Sequence, residues 1–157
     1  MGESVNGFSL NSVELQDYQP NRYPFLMIDH VEYVEPGITA RGFKNLTLNE
    51  WYFPQHFPGA PNMPGALQLE SLAQMLTVAI TTLPGLKGKV THAISHKVRF
   101  RKEVLPGDKF QIETFVDSWS RGVCRGRGVA RTNGDVACEA EMVIVIPDIL
   151  ENYLPKK

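Results

Sequence analysis

A histidine and a carboxylate, His56 and Glu70, lie fourteen residues apart on either side of a loop with three prolines (Pro58, Pro61, Pro64) and two glycines (Gly59, Gly65). Histidine exchanges protons near neutral pH. A carboxyl whose pKa is raised by burial supplies the complementary acid. Proline restricts φ and glycine opens φ > 0, so the loop has one preset path and holds His56 at a fixed place relative to the residues beyond Gly65. Pro64 and Gly65 stand where a helix begins. The first N–H groups of a helix have no intrahelical partner and lie at the positive end of its dipole. An N–H there can hold the enolate-like oxygen of a thioester. Gly65 and Gln74 are the candidate oxyanion or substrate-binding groups. Base, acid and N–H donor together suit abstraction of a proton α to a carbonyl with loss of a β-hydroxyl. Plainer readings stand beside this one. A histidine in a Pro/Gly loop is often structural, a glutamate in an apolar helix often meets an arginine or a partner chain, and Gln74, one turn beyond Glu70, can simply hydrogen-bond it.

The elements that must position these groups are read from periodicity. From Pro64 to Thr82 good helix formers dominate, and apolar residues cover nearly the whole circumference, which predicts a buried helix of about 28 Å. Pro84-Gly85 ends it. Glu70, two turns in, is a carboxylate on a buried helix, which raises its pKa unless it is partnered. Residues 1–20 are weakly patterned, with one helical turn expected at 13–18. Strands are expected over 26–34 and 38–48, joined by the turn Pro36-Gly37. After the helix the period changes to 2: residues 90–104 alternate, with His92, Ile94, His96, Val98 and Phe100 on one face. Strands over 109–119, 123–132 and 136–146 come next, with turns at Ser120-Arg121-Gly122 and Asn133-Gly134-Asp135, and 147–157 is a tail. The sum is a single α+β domain over 1–157 with an antiparallel sheet. A sheet buries an all-round apolar helix by curling around it or by acquiring a second copy, so a homo-oligomer is expected.

Composition narrows the rest. The 157 residues carry 16 Lys and Arg against 17 Asp and Glu, a net charge of −1, which offers no global attraction to nucleic acid or membrane. No basic segment followed by an apolar core opens the chain, and the polar residues of the central helix argue against a membrane span, so a cytoplasmic protein is the expectation. Cys124 and Cys138 lack CxxC spacing and read as buried free thiols. His92 and His96, four residues apart in a strand, are about 13 Å from each other, too far to share an ion; no metal and no phosphate-binding loop is expected.

The run His56-Phe57-Pro58-Gly59-Ala60-Pro61-Asn62-Met63-Pro64-Gly65 followed by Leu69-Glu70-Ser71-Leu72-Ala73-Gln74 resembles the active-site signature of the β-hydroxyacyl-acyl carrier protein dehydratases of type II fatty acid synthesis. Arg22–Asp29, Asn45–Glu50 and Val98–Asp108 resemble that family in the same order, so the likeness spans roughly residues 22–146. It implies the hot-dog fold, a curved antiparallel sheet wrapped around one long helix, with sites at a dimer interface and dimers that can assemble as trimers. It implies that His56 is the base and Glu70 the acid, contributed by different subunits, that the Gly65 N–H polarises the thioester carbonyl, and that no cofactor is used. A glutamate rather than an aspartate at position 70 resembles the branch that dehydrates without isomerising. The chain departs from the family pattern at Trp51, where proline is usual, at Gln55, where glycine is usual, at Pro54, and at Asn21, where histidine is usual. These departures flank the implied acyl tunnel, whose mouth would include Trp51, Tyr52, Phe53, Gln55 and Met63. Lys97, Arg99, Arg101 and Lys102 read either as a solvated face or as a dock for an acidic acyl carrier protein. Competing readings on the same scaffold are a thioesterase in which Glu70 activates water and a non-catalytic acyl-binding subunit.

Overall fold

A computed structural model of the chain describes residues 6–156. Seven strands, β1 (Phe8–Leu10), β2 (His30–Glu35), β3 (Thr39–Asn45), β4 (His92–Phe100), β5 (Lys109–Ser120), β6 (Val123–Thr132) and β7 (Asp135–Val145), form one antiparallel sheet in the order β1-β2-β3-β5-β6-β7-β4. The long helix α1 (Gly65–Thr81) packs against every strand from β2 to β7. This is the curved sheet around a central helix that the resemblance implies. A 3-10 turn at Glu14–Asp17 falls within the expected helical turn, and the tail carries a short helix, α2 (Pro147–Leu150), and a second 3-10 turn. The weakly patterned segment begins outside the described residues, and the tail ends outside them.

Twelve of the 17 residues of α1 are buried, as its all-round apolar surface requires. Leu72, Met75, Leu76, Val78, Ala79 and Ile80 are completely enclosed. The sheet admits the helix closely because two residues of β6 have no side chain. A Cβ on Gly126 would lie 2.7 Å from the Leu76 side chain, and one on Gly128 would lie 3.0 Å from Leu72. The β6–β7 turn has φ of 51° at Asn133 and 83° at Gly134, the left-handed pair that an Asn-Gly hairpin accommodates. Cys124 and Cys138 are buried and unpaired, with thiols pushed up to about 12 by burial.

Three expectations are corrected. The first long strand starts at His30 rather than at residue 26, because the Met27 N–H bonds the Gln74 side chain rather than a neighbouring strand. The second ends at Asn45, beyond which the Leu46 N–H bonds the Asp108 carbonyl. The alternation of residues 90–104 is interrupted by a register shift between Ala93 and Ser95. Ala93 therefore pairs with buried Ile144 and joins the face of His96, Val98 and Phe100, whereas His92 lies on the other face. The two histidines thus point to opposite sides of the sheet, and no group of three metal-ligating side chains occurs among the described residues. No described helix is long and apolar enough to cross a membrane.

Candidate active site

His56 is held at three points. Its N–H bonds the Tyr52 carbonyl at 3.0 Å, its carbonyl accepts the Asn62 N–H at 2.8 Å, and its Nδ1 lies 3.0 Å from the Asn62 carbonyl. A carbonyl oxygen only accepts, so Nδ1 carries the hydrogen and the lone pair resides on Nε2. The loop between these anchors is closed by reciprocal Phe57–Ala60 backbone bonds around Gly59, whose φ is 77°. The Phe57 ring stacks on the imidazole with centroids 4.1 Å apart. The preset path read from the prolines and glycines is thus a small closed loop that fixes the ring and leaves Nε2 available.

The loop runs into α1 through Met63, whose N–H bonds the Val104 carbonyl at 2.7 Å. Pro64 is the N-cap residue and makes no side-chain cap. Among the described residues the N–H groups of Gly65 and Ala66 have no hydrogen-bond partner. A Cβ at position 65 would lie 2.8 Å from the Phe100 ring, so the β4 aromatic closes on the helix start because glycine is there.

Glu70 lies two turns along the helix, in a cleft of about 70 Å³ lined by Gln19, Asn21, Ala73, Gln74, Thr77 and Thr91, with Ala93 and Ile144. Burial raises its pKa, and the hydrogen bond from Gln74 partly opposes that. Gln74 Nε2 donates to Glu70 Oε1 at 2.9 Å and to the Phe25 carbonyl at 2.7 Å, while its Oε1 accepts the Met27 N–H at 2.8 Å. Gln74 is 2% exposed and its amide is fully engaged, so it acts on Glu70 rather than as a free substrate donor. The Asn21 amide also reaches Glu70 Oε1, at 3.5 Å. His56 does not line this cleft and shares no hydrogen bond with Glu70 within the chain.

The remaining candidates divide. Tyr52, Phe53 and Met63 are each 1% exposed and belong to the core; only Trp51 and Gln55 of the expected tunnel mouth reach solvent. The Tyr52 hydroxyl is buried without a hydrogen-bond partner among the described residues, and burial together with Glu50 and Asp29 drives its pKa upward. Arg101 pairs with Glu139 and Lys102 with Asp135, holding both carboxyls below their ordinary range. Lys97 and Arg99 line a shallow groove with Arg127, Glu139 and Glu141 on the sheet face away from α1. The four cations are therefore interleaved with carboxylates and do not form one positive patch. Local pattern carried no signal for Asn21 beside Glu70 or for the Trp51 side chain bonding Pro24; the only hint was that both positions depart from the family pattern.

Comparisons with known proteins place the chain by family and by fold. The FabA-like domain family matches residues 19–141. The 3-hydroxyacyl-[acyl-carrier-protein] dehydratase FabZ of Roseiflexus castenholzii is 45% identical over 138 residues, covering 87% of this chain and 96% of that protein. That of Clostridium novyi is 39% identical over 139 residues, covering 88% and 98%. Among solved structures, the dehydratase heterocomplex ApeI:P from Xenorhabdus doucetiae superposes with a TM-score of 0.74 at 14% identity over 90% of this chain and 97% of that one, a likeness of fold.

Proposed function

Since this chain belongs to the FabA-like family, with FabZ dehydratases as near full-length relatives, we propose that it dehydrates (3R)-hydroxyacyl groups carried on acyl carrier protein to the trans-2-enoyl thioester, using His56 as base and Glu70 as acid. Nε2 of His56 takes the C2 proton, and the electron pair left on C2 forms the C2=C3 bond as the C3–O bond breaks. The departing hydroxyl takes the proton of Glu70 and leaves as water. Returning the His56 proton to Glu70 through solvent completes the cycle, so atoms and charge balance without a co-reactant. The Gly65 N–H donates to the thioester oxygen while negative charge develops on it. The observation that carries this reading is the pair of complementary states: an imidazole tied at Nδ1, and a carboxyl whose burial favours the protonated form.

The two groups meet across subunits. Within one chain they share neither a cleft nor a bond. Among the described residues β4 pairs only with β7, and its apolar Ile94 and Phe100 are 62% and 50% exposed. A second copy adding its own β4 to that edge would form a homodimer with two shared sites, and dimers can assemble further. The carrier protein is the partner that presents the substrate, and a cytoplasmic setting accompanies such a substrate.

The test is hydration of a crotonyl thioester, the reverse reaction. His56→Ala and Glu70→Gln are each expected to lower kcat by at least about a hundredfold, the usual contribution of a positioned acid or base, with the far-ultraviolet circular dichroism of a folded chain. Full activity in either variant removes the mechanism. Carrier-bound hydroxyacyl groups of several lengths, weighed before and after incubation, would identify the preferred chain by loss of water.

A further inference from the structure

Two of the departures from the family pattern, Asn21 and Trp51, meet the same stretch of chain. The Trp51 indole N–H bonds the Pro24 carbonyl at 3.2 Å. One residue on, the Phe25 carbonyl accepts Gln74 Nε2 at 2.7 Å, and two further on the Met27 N–H bonds Gln74 Oε1 at 2.8 Å. The same Gln74 Nε2 holds Glu70 Oε1, and Asn21, at the other end of the stretch, directs its own amide to that oxygen. Residues 21–27 thus grip the Glu70–Gln74 turn of α1 from both ends. The outer half of the grip needs support: Tyr23 is 88% and Phe25 47% exposed, whereas Leu26 packs on the core and Met27 is buried in it. The Phe25 and Leu26 N–H groups bond only Arg22 within the same turn. Among the described hydrogen bonds, residues 23–26 are tied to the rest of the molecule at two places, Gln74 and Trp51. A proline at position 51 would have no side-chain donor for this purpose.

We infer that Trp51 is a positioning residue for Glu70: its indole N–H latches the 21–27 stretch, through which the amides of Asn21 and Gln74 hold Oε1 and leave Oε2 to carry the transferable proton. This rests on the reading of Glu70 as the acid. Within one chain every other group lining the Glu70 cleft, from the N-terminal stretch, α1, the segment before β4, β4 itself and β7, is an amide, a hydroxyl or apolar; the one titrating side chain that the proposed dimer brings to the carboxyl is His56 of the second copy, which Trp51→Phe leaves unaltered.

Trp51→Phe retains an aromatic ring beside Tyr52 and removes the indole N–H together with the five-membered ring that carries it. The readout is the titration of the Glu70 carboxyl, followed by 13C NMR in protein labelled at glutamate Cδ and assigned by its disappearance in Glu70→Gln. Loosening the Gln74 and Asn21 amides removes donors that favour the charged form, so the titration should move to higher pH, by several tenths of a unit up to about one unit for a single neutral hydrogen bond. The kcat of crotonyl thioester hydration should fall about two- to tenfold, the same bond expressed as rate, with KM unchanged. Asn21→Ala combined with Trp51→Phe should lower kcat by less than the product of the two single effects, because both act through one stretch. A Glu70 titration that stays in place in Trp51→Phe overturns the inference, whatever happens to KM; Trp51 would then only contact substrate or fill space. Retention of full activity by Glu70→Gln would instead remove the reading of Glu70 as acid, and the NMR result would still report whether the latch exists.

Discussion

Among the described residues Glu70 receives donors only on Oε1, both of them neutral amides, and it lies in a buried cleft. Burial raises its pKa above the ordinary carboxyl value of 4.5, with the Gln74 hydrogen bond acting in the opposite sense. The folded chain therefore holds this proton to higher pH than the unfolded chain does. The stability tied to it is fully present below the unfolded value and is lost as pH rises through the folded one. Glu70→Gln stays neutral throughout and keeps an oxygen to accept the Gln74 amide. Its melting temperature should gain on that of the unaltered protein as pH is raised from about 4 to about 8. Parallel melting curves across that range would show that the carboxyl is not destabilised by its surroundings. The same residue is thus expected to trade stability for a proton it can give away, as acids in enzymes commonly do.

At the scale of elements, the contact between α1 and the sheet rests on positions where β6 has no side chain. A Cβ on Gly126 would meet both the Leu76 side chain and the Phe115 carbonyl oxygen at 2.7 Å, and the carbonyl cannot move without disturbing the β5–β6 ladder. Gly126→Ala should lower stability by about 1–3 kcal/mol, as overpacked cores do, read as a lower urea midpoint with unchanged slope. Much of this element plan was legible in the sequence. The helix limits came from Pro64-Gly65 and Pro84-Gly85, and the hairpins from Pro36-Gly37 and Asn133-Gly134, because proline and positive φ impose local geometry that residue types report. The loop holding His56 was legible for the same reason. What stayed hidden depends on contacts distant in the chain. The bulge at Ile94 reverses a face without altering the alternation that was read. Met27 and Ile28 look like strand but are held by a helix side chain. The Trp51–Pro24 bond joins residues 27 apart and leaves no periodic trace. Tyr52 and Phe53 read as a tunnel mouth because aromatic residues beside a catalytic loop suit both a mouth and a core, and only packing distinguishes the two.

For the whole molecule, the open side of β4 is decisive. On the proposed reading, a site divided between subunits exists only in the assembly, which would make an edge rather than a core the weakest point of the activity. Ile94, 62% exposed at the bulge of that edge, sits where a second β4 would pair. Ile94→Lys places a charge in the middle of such a pairing, the device by which natural sheet edges resist association. It should move the protein towards monomer in sedimentation velocity and reduce hydration activity in proportion to the dimer lost, with the far-ultraviolet circular dichroism unchanged. A variant that remains dimeric and active would place the interface elsewhere.

The strand order has one more consequence, concerning time. Among the described strands β4, residues 92–100, has its only neighbour in β7, residues 135–145, the last strand in chain order. A ribosome therefore releases β4 long before its mate, and both edges of this strand wait unpaired while β5 and β6 emerge. Chains that end before residue 135 would carry that exposed template permanently. Yield in a growing cell should then depend on how quickly the C-terminal half arrives and closes, and far less on how firmly the finished protein holds together.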